Sequence, residues 1–360
     1  MNRDNYPVLR DRPELVYLDA SNGFPLHERV IQRVTTLAGQ LVGMPSKGAY
    51  SDTGAIEAIV EETRAKVAQL IGAQPSDILF VASASEAARL IARAWCLDDP
   101  ASVVAYSPED HTATMRALEW MPADRTRLLQ YDEAGNLYGE ASDATVHFLN
   151  HLHHVYGSDI VPRAFKDEHP AVKLVVDASQ SISRLPVDVK QLRADALYFS
   201  GHKLGAIPGA GILYIAPEYR AEFAPGDNSG ASLPWLVIAS IGAAIDVLLE
   251  RPMARRTVYL AELSSYLIQQ LEEIPGLTFS KGVAHTADTC TGHGIVSFRL
   301  QGYSATDIMM LLDEHGIAVR GGDHCLSPEY ADRDYVRVSM QAYTNHDDID
   351  HLIEVLKSIR

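Results

Sequence analysis

An α/β architecture with a mainly parallel sheet is predicted by the alternation of short apolar, strand-length runs with amphipathic helical stretches along the first two thirds of the chain. A second observation is that two of these runs are followed at once by chemistry-bearing residues, at the edge where open α/β sheets bind ligands. A third is the change of character after Asp227-Asn228-Ser229-Gly230, where two helical stretches lead towards a region with its own strand and helix. That region reads as a smaller C-terminal domain.

The elements follow in order. Residues 28–41 carry a helical pattern, and residues 55–71 a second one, with Ile56, Ile59, Val60, Val67 and Leu70 along one stripe. Strand-like runs at 78–81, 103–105, 145–149 and 172–176 alternate with helices that reach Trp95 and span about 112–120. Further on, 295–300 reads as a strand and about 347–358 as a final helix. The chain shows no internal repeat or low-complexity segment.

Composition narrows the class. A chain of 360 residues can bury a large core and divide into domains, and 47% hydrophobic content is that of a globular protein. A net charge of −16 argues against a nucleic-acid or anionic-membrane surface. No run approaches the ~18 apolar residues of a membrane span, and the first residues lack the apolar core of an export signal. Three cysteines, Cys96, Cys290 and Cys325, do not make a disulfide framework, so a reducing cytoplasm is the expected location.

The most informative segment is Tyr198-Phe-Ser-Gly-His-Lys203, followed by small, turn-forming residues up to Gly211. A lysine leaving a buried strand end beside Ser200 and His202 is partly desolvated, which lowers its pKa towards a nucleophilic amine able to form Schiff bases. The same residues also read as a surface lysine in a Gly-rich hairpin. Upstream, the 172–176 strand ends in Asp177-Ala178-Ser179-Gln180. An acid there is a turn former or a helix cap, or the partner that a pyridinium nitrogen requires. Asp177 and Lys203 fit together as a pyridoxal phosphate site.

With those motifs in place the chain resembles the class V pyridoxal-phosphate enzymes of the aspartate-aminotransferase fold (fold type I), in their cysteine desulfurase and selenocysteine lyase branch. The resemblance runs through Tyr17-Leu18-Asp19 with Pro25, Ser83-Ala84-Ser85-Glu86, Asp110-His111, Asp177 to Gln180 and Ser200 to Lys203. It continues at Arg320-Gly-Gly-Asp-His-Cys325 and Val336-Arg-Val-Ser339. It implies a large domain at 15–245 with a seven-stranded, mainly parallel sheet, and a small domain from 1–14 and 246–360. A homodimer with shared active sites is also implied.

The resemblance assigns roles residue by residue. Ala84, Ser85, Ser200 and His202 would hold the phosphate at a helix start, with Ser232 reaching across from the second subunit. His111 would stack on the cofactor ring and relay protons, and Gln180 would donate to its phenolic oxygen. His154 stands where the family has an asparagine, and would donate to the same cofactor oxygen. The His151-Leu-His-His154 cluster lacks a carboxylate or cysteine at ligand spacing, so no metal is expected. Arg337, and secondarily Arg320, would grip a substrate carboxylate. Asn22 and Gly23 replace Ala-Thr beside the substrate.

Cys325 decides the reaction. In the desulfurases a thiol in this context attacks the sulfur of cofactor-bound cysteine, leaving alanine and an enzyme persulfide, with His324 and Arg320 favouring the thiolate. A pocket-wall cysteine is the other reading. The alternatives are a C–S β-lyase giving pyruvate and ammonia, an aminotransferase or epimerase, and a non-catalytic scaffold. The expected partners are an amino-acid substrate and a sulfur-acceptor protein.

Overall fold

The computed structural model describes residues 3–45, 48–223, 233–283, 293–327 and 334–359. A short strand β1 (Val16–Tyr17) precedes helices α1 (Glu28–Gln40) and α2 (Ser51–Ile71). Gly72 ends α2 at φ 70°, a left-handed cap that costs a glycine nothing sterically. Then come β2 (Ile78–Val81), α3 (Ala84–Ala92), β3 (Val104–Tyr106), α4 (Thr112–Leu118) and β4 (Thr126–Leu128). Four further strands follow, β5 (Val146–Asn150), β6 (Lys173–Asp177), β7 (Ala196–Ser200) and β8 (Gly211–Ile215).

Strands β2 to β8 form a seven-stranded sheet in the order β2-β8-β7-β6-β5-β3-β4. β8 is antiparallel to both of its neighbours, and the pairs from β7 to β4 are parallel. The sheet is therefore α/β and mainly parallel, as the alternation of runs predicts. Every residue of β5, β7 and β8 is buried. Helices cover both faces of such a sheet, so its strands are continuous apolar runs rather than alternating ones. Helix α5 (Trp235–Leu249) lies against α1 and α2, where Ile238, Ile241 and Ile245 join Ile56, Val60 and Val67 in one core.

The chain continues through α6 (Met253–Glu272), β9 (Leu277–Phe279), β10 (Ile295–Leu300), α7 (Ala305–Glu314), β11 (Ile317–Ala318), β12 (Arg320–Gly322), β13 (Tyr335–Ser339) and α8 (His346–Ser358). Here β9-β10-β13-β12 form a four-stranded antiparallel sheet, and β1 pairs in parallel with β11. A second core gathers Leu263, Leu267, Phe298, Val336, Ile349 and Leu352. Val16 and Leu18 belong to it, so the first strand serves the C-terminal core.

Three helices depart from the expected bounds by more than a residue, and the one expected from about 55 already begins at Ser51. The helix expected to reach Trp95 is regular only to Ala92, after which Arg93–Leu97 widens into a π-turn closed by Asp98 N–H on Arg93 O at 2.9 Å. The turn seats the buried Trp95 indole, whose Nε1 donates to Glu222 Oε2 at 2.7 Å. The helix expected over 112–120 stops at Leu118, short of the exposed Trp120.

Gly211 starts β8 hard against the turn that precedes α3. A Cβ there would lie 2.4 Å from Ser83 C and 2.7 Å from Ala84 N, so backbone must move to admit it. The variant Gly211→Ala is expected to lose roughly 1–3 kcal/mol of stability through overpacking. Urea denaturation reads this, and an unshifted midpoint would contradict the close approach.

Candidate active site

The carboxyl ends of the parallel strands and one edge of the C-terminal core enclose a cavity of about 300 Å³. Asp177 ends β6 and Asn150 ends β5, paired in register, and both line it. From the end of β7 the chain turns through a 3-10 segment, Gly201–Leu204, which carries His202 and Lys203 to the same wall. Ser83, Ala84 and Ser85 face it from the start of α3, and His111 from the start of α4. The C-terminal core contributes Arg320, His324, Cys325 and Arg337. Strand ends supply these groups because backbone pairing stops there and side chains are free to converge.

Lys203 keeps part of its surface towards the cavity, but protein encloses its amine. Its Nζ donates to the main-chain oxygens of Ser21 and, at 3.0 Å, Asn22. Burial lowers its pKa to about 7, and the charges of Arg337 and Arg184 push the same way. Asp177 is 8% exposed and accepts from Ser179 N–H at 2.8 Å. Burial raises its pKa, and among the described residues no cation is ion-paired with it. Burial, then Lys203, lowers His111 to about 4, and burial lowers His202 to about 4. His111 Nδ1 accepts from Ala113 N–H at 3.1 Å, so the neutral ring carries its hydrogen on Nε2.

The expected anion cradle has a division of labour. Ser83 caps α3, its Oγ accepting from Glu86 N–H at 3.1 Å, so Ser85 is not needed as the cap. The first N–H groups of the helix have no intrahelical acceptor, and they stand at the cavity beside Ser200 and His202. Ser232 lies outside the described residues. Gln180 lines the cavity and donates from Nε2 to Ser21 O at 3.1 Å.

The C-terminal groups are tied down more tightly than the sequence indicates. Arg337 is 2% exposed; its Nη2 pairs with Asp19 Oδ1 at 3.0 Å and its Nη1 donates to His154 O at 3.1 Å. Arg320 Nη2 lies 3.2 Å from Cys325 Sγ. His324 and Cys325 adopt φ of 51° and 64°, a left-handed pair without a glycine. Neighbours hold it there: Cys325 O accepts from Thr112 N–H at 3.0 Å, and Asp323 Oδ1 accepts from Cys325 N–H at 3.1 Å. His154 Nε2 meets His324 O at 3.0 Å, and burial lowers its pKa well below the usual value. A neutral ring that donates from Nε2 has an acceptor at Nδ1. Donation to a cofactor oxygen, expected for His154, does not suit that tautomer.

Sequence reasoning missed Asn150, Asp19, Arg184 and the state of Asp110. Asn150 Nδ2 and Tyr131 Oη both donate to Asp110 Oδ1, at 2.7 and 3.0 Å, and burial raises the Asp110 pKa to about 7. Asn150 and Asp19 each close an apolar strand, the same signal that singled out Asp177. Two larger grooves, of about 530 and 770 Å³, lie elsewhere. The lysine in the first, Lys66, is ion-paired with Glu62 and Asp246, and the second has no lysine.

A model of the family "Aminotransferase class-V" matches residues 16–352. The chain belongs to that family. Its enzymes use pyridoxal phosphate, and the cavity suits that group: an amine whose pKa burial lowers to about 7 for the aldehyde, a buried carboxylate without an ion-paired cation among the described residues for the ring nitrogen, and a helix start for the phosphate. Among named relatives, a cysteine desulfurase of Cronobacter sakazakii is 26% identical over 399 residues, covering 98% of this chain and 95% of its own. One from Wigglesworthia glossinidia brevipalpis is 21% identical, covering 99% and 96%. The apo cysteine desulfurase of Thermococcus onnurineus NA1 superposes with a TM-score of 0.87 at 22% identity, covering 99% of this chain and 96% of that one. A C-DES mutant with glycine covalently linked to its PLP cofactor gives 0.82 at 20%, covering 99% of each chain. These likenesses in shape establish fold type I.

The buried amine carries a stability cost. Lys203 holds its proton up to the ordinary 10.5 when unfolded but only to about 7 when folded. Between those values the unfolded chain binds more protons, so this group's penalty is full below pH 7 and fades as pH rises towards 10.5. In protein without cofactor, Lys203→Met is expected to raise Tm at pH 7, by an amount that shrinks towards pH 10. A gain independent of pH would contradict the buried, neutral amine.

Proposed function

We propose that this protein removes sulfur from L-cysteine, releasing L-alanine and leaving a persulfide on Cys325. The observation that carries the reading is that Cys325 lines the same cavity as Lys203 and Asp177, with a guanidinium nitrogen 3.2 Å from its sulfur. The thiolate is the attacking form of a cysteine. Relatives covering nearly the whole chain and named cysteine desulfurase support it.

In this reading the cofactor, when bound, supplies a conjugated ring that accepts the electrons of a broken bond at the substrate α-carbon. Lys203 would hold the group through its amine and would act as the base for the substrate α-proton; a pKa of about 7 suits it to both tasks near neutrality. Asp177 would be the partner of the ring nitrogen. Ser85, Ser200, His202 and the start of α3 hold the phosphate, with Ser232 given to the second subunit's site. His111 would cover the ring with its Nε2–H, and Gln180, one amide hydrogen of which is given to Ser21 O, would turn the other towards the phenolic oxygen. Arg337, its guanidinium divided between Asp19 and the cavity, and Arg320 would receive the substrate carboxylate, and Asn22 borders the substrate.

The sulfur step balances within the enzyme. The Cys325 thiolate attacks the substrate sulfur, the substrate C–S bond breaks, and an S–S bond forms. The substrate β-carbon keeps the C–S electron pair and takes a proton to become the alanine methyl, Lys203 returns a proton to the α-carbon, and the transferred sulfur is oxidised to the sulfane level. A cytoplasmic homodimer with shared sites that hands sulfur to an acceptor protein completes the proposal. The absence of any helix long and apolar enough to cross a membrane, among the described residues, fits it.

Given L-cysteine, the protein is expected to form alanine and a Cys325 persulfide, read by amino-acid analysis and by mass spectrometry of an alkylated peptide. Cys325→Ser is expected to lower alanine formation by about a hundredfold or more, the scale on which a lost nucleophile acts, while keeping the cofactor's imine absorbance. Lys203→Ala is expected to lose that absorbance. Pyruvate and ammonia released equally by wild type and Cys325→Ser would replace the desulfurase reading with a β-lyase.

A further inference from the structure

Behind the cavity lies a buried cation that none of the roles above uses. Arg184 is 1% exposed. Its Nη1 donates to Gln180 O at 3.4 Å and Gln180 Oε1 at 3.3 Å, and its Nη2 to Ser21 Oγ and Met340 O, both at 3.4 Å. All four acceptors are neutral, and Nε has no partner. Among the described residues no carboxylate is ion-paired with Arg184. Arg337, its counterpart on the other side, is paired with Asp19.

We propose that Arg184 is a positioning residue for the Lys203 site: it fixes the Gln180 amide and the Ser21 turn, and, bound to the same serine that holds Lys203 Nζ, its unpaired charge disfavours a second positive charge there. The first part follows from donor chemistry. A guanidinium cannot accept a hydrogen bond, so the amide edge that meets Arg184 must be Oε1. Nε2 is then turned to Ser21 O and the cavity. The same arginine braces Ser21, whose carbonyl holds the Lys203 Nζ.

The second part follows from the charge. A guanidinium does not escape its burial cost by losing a proton, as a lysine does. Burial does lower the Arg184 pKa, to about 9, with Tyr343 opposing and Arg337 and Arg256 adding to the shift, which still leaves it charged at neutral pH. The groups acting on Lys203 are Arg337, Arg184 and Arg320, which disfavour its charged form, and Asp19, which favours it. Lys203 in turn shifts Asp177, His111 and His202. Since Asp19 is shared with Arg337, Arg184 is the buried cation of this set whose field has no paired counter-charge.

The inference rests on Lys203 being the reactive amine, and the test reads that separately. Full-length protein without pyridoxal phosphate is treated with an amine-acylating reagent across a pH series, and Lys203 labelling is followed by peptide mass spectrometry. A wild-type midpoint near 7 supports the site, and one near the ordinary lysine value overturns the site itself. Given the former, Arg184→Met is expected to move the midpoint up by about one unit, and Arg184→Lys to leave it in place. Arg184→Gln is read the same way should Arg184→Met fail to fold. Arg184→Lys, which keeps charge but loses the fork, is expected to weaken pyridoxal phosphate binding about tenfold, by absorbance titration. An unmoved midpoint in a folded neutral variant overturns the electrostatic role, and unchanged affinity in Arg184→Lys overturns the positioning role.

Discussion

The site depends on burying one amine among positive charges. Lys203 leaves a fully buried strand and ends against two main-chain oxygens, with Arg337 and Arg184 close by. Exclusion of water from the amine, reinforced by the repulsion of those guanidiniums, lowers its pKa to about 7. The other features follow from this constraint. Main-chain carbonyls can hold a neutral amine without competing for it as a carboxylate would. Asp177 lines the same cavity without an ion pair, so its carboxylate remains available to a ring nitrogen.

The cavity is a joint product of two cores. Lys203, Asp177, His111 and the start of α3 belong to the seven-stranded sheet and its helices, whereas Arg320, Cys325 and Arg337 belong to the antiparallel sheet. Buried polar contacts fasten the halves together. Lys281 Nζ lies 3.1 Å from the buried Glu109 Oε2, which also accepts from Tyr156 Oη at 2.6 Å. Arg337 reaches Asp19 and His154, and Ser21 N–H donates to Ser339 Oγ at 2.9 Å. A buried pair that loses one partner leaves an uncompensated charge, so these contacts resist separation of the halves. The left-handed pair at His324 and Cys325 is a cost borne at the same seam.

Much of both sheets was legible because strand-length apolar runs record burial directly. The 78–81 and 295–300 strands have the bounds read from the chain, and the 172–176 run differs only at its ends. The π-turn at Arg93–Leu97 was not legible, because its cause is the docking of Trp95 onto Glu222, 127 residues away. Likewise the opening strand looks like part of the first domain by position. Its partners are Ile317 and Ala318, a pairing that no local pattern encodes.

The sequence alone determined which chemistry the protein can carry: a lysine and an aspartate each placed where an apolar strand stops, a small-residue helix start and a cysteine beyond a Gly-Gly turn. Those are local facts, fixed by side-chain type and strand period. Tertiary structure decided which groups are charged and which are engaged. Arg337 is held by Asp19, 318 residues away, His154 is spoken for by His324, and Arg184 stands behind Gln180 with no ion-paired carboxylate among the described residues. Protonation and hydrogen-bond occupancy depend on solvent exclusion and on neighbours brought together only by folding, so residue order by itself cannot express them.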